Sequence, residues 1–257
     1  ELSRDLFPLS REDPALAPLA FFVRRANLQS LAQSAIDRAP SGTVLVPQGT
    51  VLHIPPTNVD TLFLYSLAIT LLAGNANVIR ISRNAGPATF RIVEIIARRL
   101  EEHPAIAELV TILSFDRDQE TLDALSSWCD LRMIWGGDAA IRAIRQSPLQ
   151  PHAKELTFPD RVSLAALSVP AWTRATAEQR LVVIDGLYND TFWFDQMACS
   201  SPVHLVLAGG SEEEAADLSA DLSRELAAQA ARRYVEVDGQ AINKMVDVLR
   251  GLDRGLG

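Results

Sequence analysis

The chain has 257 residues, of which 48% are hydrophobic and 22% are charged, and its formal net charge is −8. This composition is typical of a folded protein with a large core, and it excludes an intrinsically disordered chain. The acidic balance provides no basic surface for nucleic acid, so we expect no nucleic-acid partner. The longest apolar run, 62–73, is too short to be a transmembrane segment.

The two cysteines and the scattered histidines have no spacing typical of a zinc site, and we predict no metal. A single disulfide would be unusual in a chain of this size, and no signal-peptide pattern precedes it. We therefore expect a reduced, cytoplasmic location. The chain starts at Glu1 rather than Met and stops just after a helical stretch, so we expect a piece of a longer protein.

Strand-like and helix-like segments alternate along most of the chain. The predicted strands are 43–47, 77–81, 109–113, 131–135, 154–156, 162–167 and 203–207. The predicted helices are 18–38, 62–73, 88–102, 119–127, 139–145, 177–188, 212–233 and 240–250. In the first half the strands are continuous apolar runs, as in a parallel sheet that helices cover on both faces. We predict an α/β fold, with a doubly wound, mostly parallel sheet in residues 1–150 and part of a second α/β domain in 151–257.

Ligands of doubly wound sheets bind at the carboxyl ends of the strands. Three glycine- or proline-rich stretches, 55–58, 82–86 and 136–138, follow predicted elements in the first domain. Neither a GxGxxG nor a Walker sequence is present. These three stretches are therefore the candidate positions for a nucleotide.

Cys199 lies among small residues, in the sequence Ala198-Cys199-Ser200. A thiol in such a turn is open to substrate, and nearby backbone amides can stabilise an oxyanion. The alternative is a buried structural cysteine, the commonest state of a free thiol. Cys129, which precedes an apolar strand, fits that alternative better.

Other candidates have an equally plain structural alternative. Asn58 suits a helix N-cap as well as an oxyanion donor. Glu155 is either a general base or one of many surface acids. Arg80 and Ser82 suit an adenosine ribose or its phosphate, or are simply solvated at a strand end. The pair Gly136-Gly137 is either a close approach to a pyrophosphate or a turn.

Three segments in this order resemble the fatty acyl-CoA reductase family, best known for supplying aldehyde in bacterial bioluminescence. They are 53–60 (HIPPTNVD), 72–82 (LAGNANVIRIS) and 194–202 (FDQMACSSP), and the resemblance extends from about residue 21 to about residue 207. The family is part of the aldehyde dehydrogenase superfamily. The resemblance implies a Rossmann-like cofactor domain followed by a catalytic domain that is incomplete here.

The resemblance also implies residue roles. Cys199 matches the acyl-accepting thiol, and Asn58 matches the asparagine of the oxyanion site. The residues that it places at the cofactor are Pro56, Thr57, Arg80, Ser82, Gly136 and Gly137. Arg80 occupies the position of a lysine at the adenosine ribose, and its guanidinium favours NADPH over NADH because it suits a 2′-phosphate.

Glu155 occupies the position of the Glu-Leu-Gly-Gly motif of ordinary dehydrogenases. Here Thr157-Phe158 replaces the two glycines. That departure puts the role of Glu155 as a catalytic base in doubt, and an acyl-CoA reductase need not activate water.

The implied activity is reduction of a long-chain acyl-CoA or acyl thioester to the aldehyde through a Cys199 thioester. Implied partners are the acyl substrate, a second copy of the chain, and acyl-transferring or acyl-activating enzymes. One alternative is an aldehyde dehydrogenase that oxidises aldehydes; another is a non-catalytic nucleotide- or partner-binding fragment. A ketosynthase-like condensing enzyme is disfavoured, because only His204 follows Cys199.

Overall fold

A computed structural model describes residues 1–13, 16–56, 60–115, 118–159, 163–192, 198 and 200–234. The chain divides into two compact units, Glu1–Asp160 and Arg161–Gly257, called here the first and the second unit. The predicted helix at 240–250 lies outside the described residues.

The first unit contains a five-stranded sheet with helices on both faces. Its strands are β1 (Thr50–Ile54), β2 (Ala76–Ile81), β3 (Val110–Ser114), β4 (Leu131–Trp135) and β5 (Lys154–Phe158). Its helices are α1 (Leu2–Leu9), α2 (Leu16–Phe22), α3 (Arg25–Arg38), α4 (Phe63–Leu72), α5 (Pro87–Glu102), α6 (Pro104–Ala107), α7 (Gln119–Trp128) and α8 (Asp138–Ile144). A short 3-10 turn, Asp60–Leu62, precedes α4.

The strand order is β3-β2-β1-β4-β5, and all four strand pairs are parallel. The chain builds outward from β1 to β3 and then crosses back to place β4 on the other side of β1. This order is that of a doubly wound sheet, and it confirms the predicted fold class. The reversal between β1 and β4 forms the crevice in which such sheets bind ligands.

Alternation of side chains along the strands supplies two separate apolar cores. Ile79 and Ile81 of β2 pack with helices α1, α2, α4 and α5 on one face of the sheet. Val78, which precedes them in β2, packs with Ile134 of β4 and with helices α7 and α8 on the other face. Because both faces are covered, the strands read as continuous apolar runs in the sequence.

The second unit contains β6 (Ser163–Ser168), α9 (Val169–Arg174), α10 (Ala177–Phe192), β7 (Pro202–Ala208) and α11 (Glu212–Arg233). Strands β6 and β7 form a parallel pair. Its core joins Val169 and Trp172 to Ile184 of α10 and to Leu218 and Leu222 of α11.

The strand predicted at 43–47 is wrong. The structure places the first strand at Thr50–Ile54, while Val44 and Val46 are 80% and 76% exposed. A polar contact favours 50–54 over 43–47 as the strand. The Thr50 amide donates to Asp130 Oδ2 at 2.7 Å, which holds the start of β1 next to β4. The single helix predicted at 18–38 is also wrong, since α2 ends at Phe22 and α3 begins at Arg25.

The division between the units falls later than the boundary predicted at 150/151. Strand β5 pairs with β4 from Lys154 to Phe158, so it belongs to the sheet of the first unit. The second unit accordingly begins at Arg161.

Candidate functional site

The carboxyl ends of the five parallel strands lie at one edge of the sheet. The strands end there at Ile54, Ile81, Ser114, Trp135 and Phe158. Of the predicted cofactor residues, Pro56 follows β1, Arg80 is the penultimate residue of β2, Ser82 follows β2, and Gly136 and Gly137 follow β4; Thr57 lies outside the described residues. The predicted cofactor residues that the structure describes therefore lie at or near this edge, although the sequence analysis placed β1 several residues too early.

A buried polar network holds β1 in place beneath this edge. His53 is 0% exposed, its Nε2 lies 2.9 Å from Asn77 Oδ1, and its Nδ1 lies 3.1 Å from Ser66 Oγ. Because the Asn77 amide nitrogen donates to the Asn75 carbonyl at 2.8 Å, its oxygen faces His53, whose Nε2 therefore carries the hydrogen. Burial lowers the pKa of His53 to about 4, against the opposing effect of the Asn77 hydrogen bond. His53 is thus neutral and structural.

Asn75 anchors the chain that enters β1. Its Oδ1 accepts hydrogen bonds from the Gln48 and Gly49 amides at 2.7 and 3.1 Å. Gly74, at φ +81°, lets the chain turn from α4 into this position. The Gly-Asn-Ala-Asn segment that carries much of the family resemblance is therefore part of the scaffold. Sequence reasoning missed this network, although buried polar residues at the ends of apolar runs are its signal.

Arg80 and Ser82 lie at the carboxyl end of β2, as predicted for a cofactor edge. The Arg80 Nη2 donates to the Phe115 carbonyl at 3.2 Å, and its guanidinium carbon is 5.5 Å from the centre of the Phe115 ring. The Ser82 hydroxyl oxygen accepts from the Asn84 amide at 3.2 Å, which shapes the turn before α5. These contacts hold both polar side chains at the edge.

Trp135, Gly136 and Gly137 form the end of β4 and the turn into α8. Gly136 has φ +157°, and a Cβ added there would meet only the Ala140 Cβ, at 3.6 Å. Its amide donates to the Phe158 carbonyl at 3.3 Å. The backbone at this turn is therefore uncrowded on the side where a Cβ would lie, and it is tied to the end of β5.

Glu155 is held by arginines on both of its carboxylate oxygens. Oε2 accepts from Arg132 Nη2 and Oε1 from Arg145 Nε, each at 2.6 Å. Burial raises the pKa of the carboxyl, but the hydrogen bonds from Arg145 and Arg132 outweigh it and leave the pKa below its usual value. Arg132 is 2% exposed and also donates to Ser126 Oγ and to the Ser147 carbonyl. These contacts are those of a structural ion pair.

The structure does not describe every predicted site residue. Asn58, Thr57 and Cys199 lie outside the described residues. Pro56, which follows β1 at the edge of the sheet, is half-buried. Of the residues beside Cys199, Ser201 is buried, and its amide donates to the Ala198 carbonyl at 3.0 Å.

Cys129 has the features of an unreactive thiol. It is 1% exposed, and its sulfur donates to the Ser126 carbonyl at 3.4 Å. Burial raises the pKa of this thiol, so little thiolate forms near neutral pH. Cys129 therefore serves as the matched control for experiments on Cys199.

A family model described as acyl-CoA reductase (LuxC) matches residues 24–240. That range includes Asn58, Arg80, Glu155 and Cys199. No curated protein matches the chain. Among the described residues, no helix has both the length and the apolar character needed to cross a membrane.

Solved aldehyde dehydrogenase structures share the fold. The salicylaldehyde dehydrogenase of Pseudomonas putida G7, complexed with salicylaldehyde, has a TM-score of 0.61 at 16% identity, covering 87% of this chain and 49% of that chain. The glyceraldehyde-3-phosphate dehydrogenase of Methanocaldococcus jannaschii, complexed with NADP, has a TM-score of 0.60 at 14% identity, with coverages of 90% and 52%. The betaine aldehyde dehydrogenase of Staphylococcus aureus, with NAD+, has a TM-score of 0.54 at 15% identity, with coverages of 80% and 40%. The chain spans about half the length of such proteins.

Proposed function

Because the chain belongs to the acyl-CoA reductase (LuxC) family, we propose that the protein reduces a fatty acyl-CoA, or another acyl thioester, to the aldehyde with NADPH. The observation that carries the proposal is the family match over 24–240, which takes in both Asn58 and Cys199. The doubly wound sheet supports it, because its carboxyl edge presents Arg80 and an open glycine turn where a dinucleotide would bind.

The proposed chemistry has two steps. The Cys199 thiolate attacks the acyl carbon, the carbon–sulfur bond to coenzyme A breaks, and the departing thiolate takes up a proton. The cofactor, when bound, supplies a hydride to the acyl carbon. The resulting thiohemiacetal oxyanion would be stabilised by the Asn58 amide and the Cys199 backbone N–H. Its collapse releases the aldehyde and regenerates the Cys199 thiolate.

The residues at the edge of the sheet fit a dinucleotide. Arg80 places a cation at the end of β2, where it suits a ribose 2′-phosphate and favours NADPH. Gly136 leaves the backbone accessible at the end of β4, so that phosphate oxygens can approach. The fit rests on a cation at the end of β2 and an uncrowded glycine turn at the end of β4, the two strands that flank β1.

The contacts of Glu155 favour reduction over oxidation. Oxidation of an aldehyde to an acid requires a base that activates water for hydrolysis of the thioester. Both oxygens of Glu155 accept hydrogen bonds from arginines, and its pKa is lowered, so it is a weak base. A thioester that is not hydrolysed persists long enough to be reduced.

Detection of the acyl-enzyme is the most direct test of the proposed function. The full-length protein is incubated with a long-chain acyl-CoA in the absence of cofactor, and its intact mass is measured. We expect a mass increase of one acyl group in the wild type and in Cys129→Ala, no increase in Cys199→Ala, and release of aldehyde when NADPH is added. An unmodified wild-type protein, or an adduct that survives in Cys199→Ala, would refute the proposal.

A further inference from the structure

An aromatic pair closes the carboxyl ends of β4 and β5. Trp135 and Phe158 are the last residues of these strands and are register partners. Their rings stack with centroids 3.8 Å apart and planes inclined by 10°. Pairing of β1 with β4 stops at Ile54 and Ile134, so Trp135 lies one residue beyond it. The pair therefore stands at the rim of the crevice between β1 and β4.

This pair is separate from the ion-pair network on the same two strands. Residues three apart on a strand point to opposite faces of the sheet. Arg132 and Glu155 therefore lie on one face, and Trp135 and Phe158 on the other. Among the described residues, Trp135 also belongs to neither apolar cluster of the first unit. Core packing thus does not explain a tryptophan at this position.

Among the described residues, the indole N–H of Trp135 has no acceptor. Its Nε1 is buried, and no described residue accepts a hydrogen bond from it. A buried donor without a partner is unfavourable, so native proteins seldom retain one unless something else satisfies it. Trp172 also has an unpaired Nε1, but it lies inside the apolar cluster of the second unit. Among the described residues, the buried Thr89 hydroxyl in the first turn of α5 also has no partner, but Trp135 is the unpaired donor that ends a strand at this edge of the sheet.

The surroundings hold this donor in a fixed orientation beside an open turn. Phe158 stacks against the indole and restricts its rotation, and the hydrogen bond from Gly136 to the Phe158 carbonyl ties the turn to β5. Apart from its chain neighbours, a Cβ at Gly136 would have only Ala140 Cβ within 4 Å among the described residues, so the turn that follows the indole is uncrowded. The site is therefore an oriented donor beside accessible backbone.

We propose that Trp135 is a cofactor-binding residue whose indole N–H donates to an oxygen in the nicotinamide-mononucleotide half of the dinucleotide. Phe158 is a positioning residue, which holds the indole by stacking. This inference rests on the proposed function, because it requires a dinucleotide at the edge of the sheet. It adds a donor on β4 to the cation that Arg80 supplies on β2.

The test compares two tryptophan-to-phenylalanine changes in the full-length protein. Trp135→Phe removes the N–H and retains a ring that can stack, and Trp172→Phe makes the same change away from the edge. Dissociation constants are measured for NADPH and for 2′,5′-ADP, which keeps the adenosine-side phosphate and lacks the nicotinamide-mononucleotide half. We expect Trp135→Phe to weaken NADPH binding about tenfold, as the loss of one hydrogen bond does, and to leave 2′,5′-ADP binding unchanged. Trp172→Phe should change neither constant.

Equal NADPH affinities in the wild type and Trp135→Phe would overturn the proposal, and so would equal weakening of both ligands. A wild type that binds neither NADPH nor NADH would refute the proposed function itself, a result that is distinct from either. Nuclear magnetic resonance provides a second measurement on the wild-type side chain. The Trp135 indole resonance, assigned by elimination with variants of the other three tryptophans, should shift downfield when NADPH binds; an unchanged position would overturn the proposal.

Discussion

Acidification should destabilise the first unit through His53. The side chain is fully buried and neutral, and burial lowers its pKa to about 4 from the ordinary histidine value of 6.5. The folded state therefore binds fewer protons than the unfolded state between these values. Stability is complete above about pH 6.5 and is lost as the pH falls through that range towards about pH 4. At about 1.4 kcal/mol per unit, the loss approaches about 3 kcal/mol.

Urea unfolding at a series of pH values measures this loss. His53→Gln removes the titrating group, while its amide nitrogen can still donate to Asn77. The variant should be less stable than the wild type at neutral pH, and its free energy of unfolding should fall less on acidification, by about 3 kcal/mol. His204→Gln changes an exposed histidine of β7 and should retain the wild-type dependence. If His53→Gln and the wild type lose stability in parallel, His53 is not buried in its neutral form.

Two other predictions concern charged side chains. Arg132→Leu leaves Glu155 with Arg145 alone and the Ser147 carbonyl unpaired, so it should cost about 3 kcal/mol or more of unfolding free energy in urea. The exposed pair Arg142–Asp138 is the control, and Arg142→Ala should cost less than about 1 kcal/mol; equal losses would show that the Arg132 network contributes nothing special. Arg80→Ala should weaken NADPH binding by about tenfold or more and leave NADH binding nearly unchanged, as measured by binding isotherms. If both cofactors lose affinity equally, Arg80 does not contact the 2′-phosphate.

The doubly wound sheet could be predicted because strands that are buried on both faces require continuous apolar runs in the sequence. Strand β1 was placed at the wrong run because 43–47 and 50–54 are both short, apolar and bounded by turn residues. The choice between them depends on two side chains. Asn75 accepts a hydrogen bond from the chain just before β1, and Asp130 accepts one from Thr50 at its start. Asp130 is distant in sequence, so no local pattern contains that information.

Local patterns also misrepresent Glu155. Its position in the sequence resembles a catalytic motif, but the partners that determine its chemistry come from β4 and from the residue after α8. Arg132 pairs with Glu155 only because the register of β4 and β5 sets them opposite each other. Trp135 is the converse case. From sequence alone, a tryptophan before two glycines predicts only a turn. The structure adds its stacking on Phe158 and an N–H with no acceptor among the described residues.

The family motif of this chain therefore carries two kinds of information. Asn75 and Asn77 form hydrogen bonds that position β1 and β2. Their match to the family motif therefore predicts the fold. Cys199 differs, because the resemblance to the family assigns it a chemical role, that of the acyl-accepting thiol in the proposed function. A change at Asn75 should therefore alter stability first, whereas a change at Cys199 should abolish acyl transfer in a protein that remains folded.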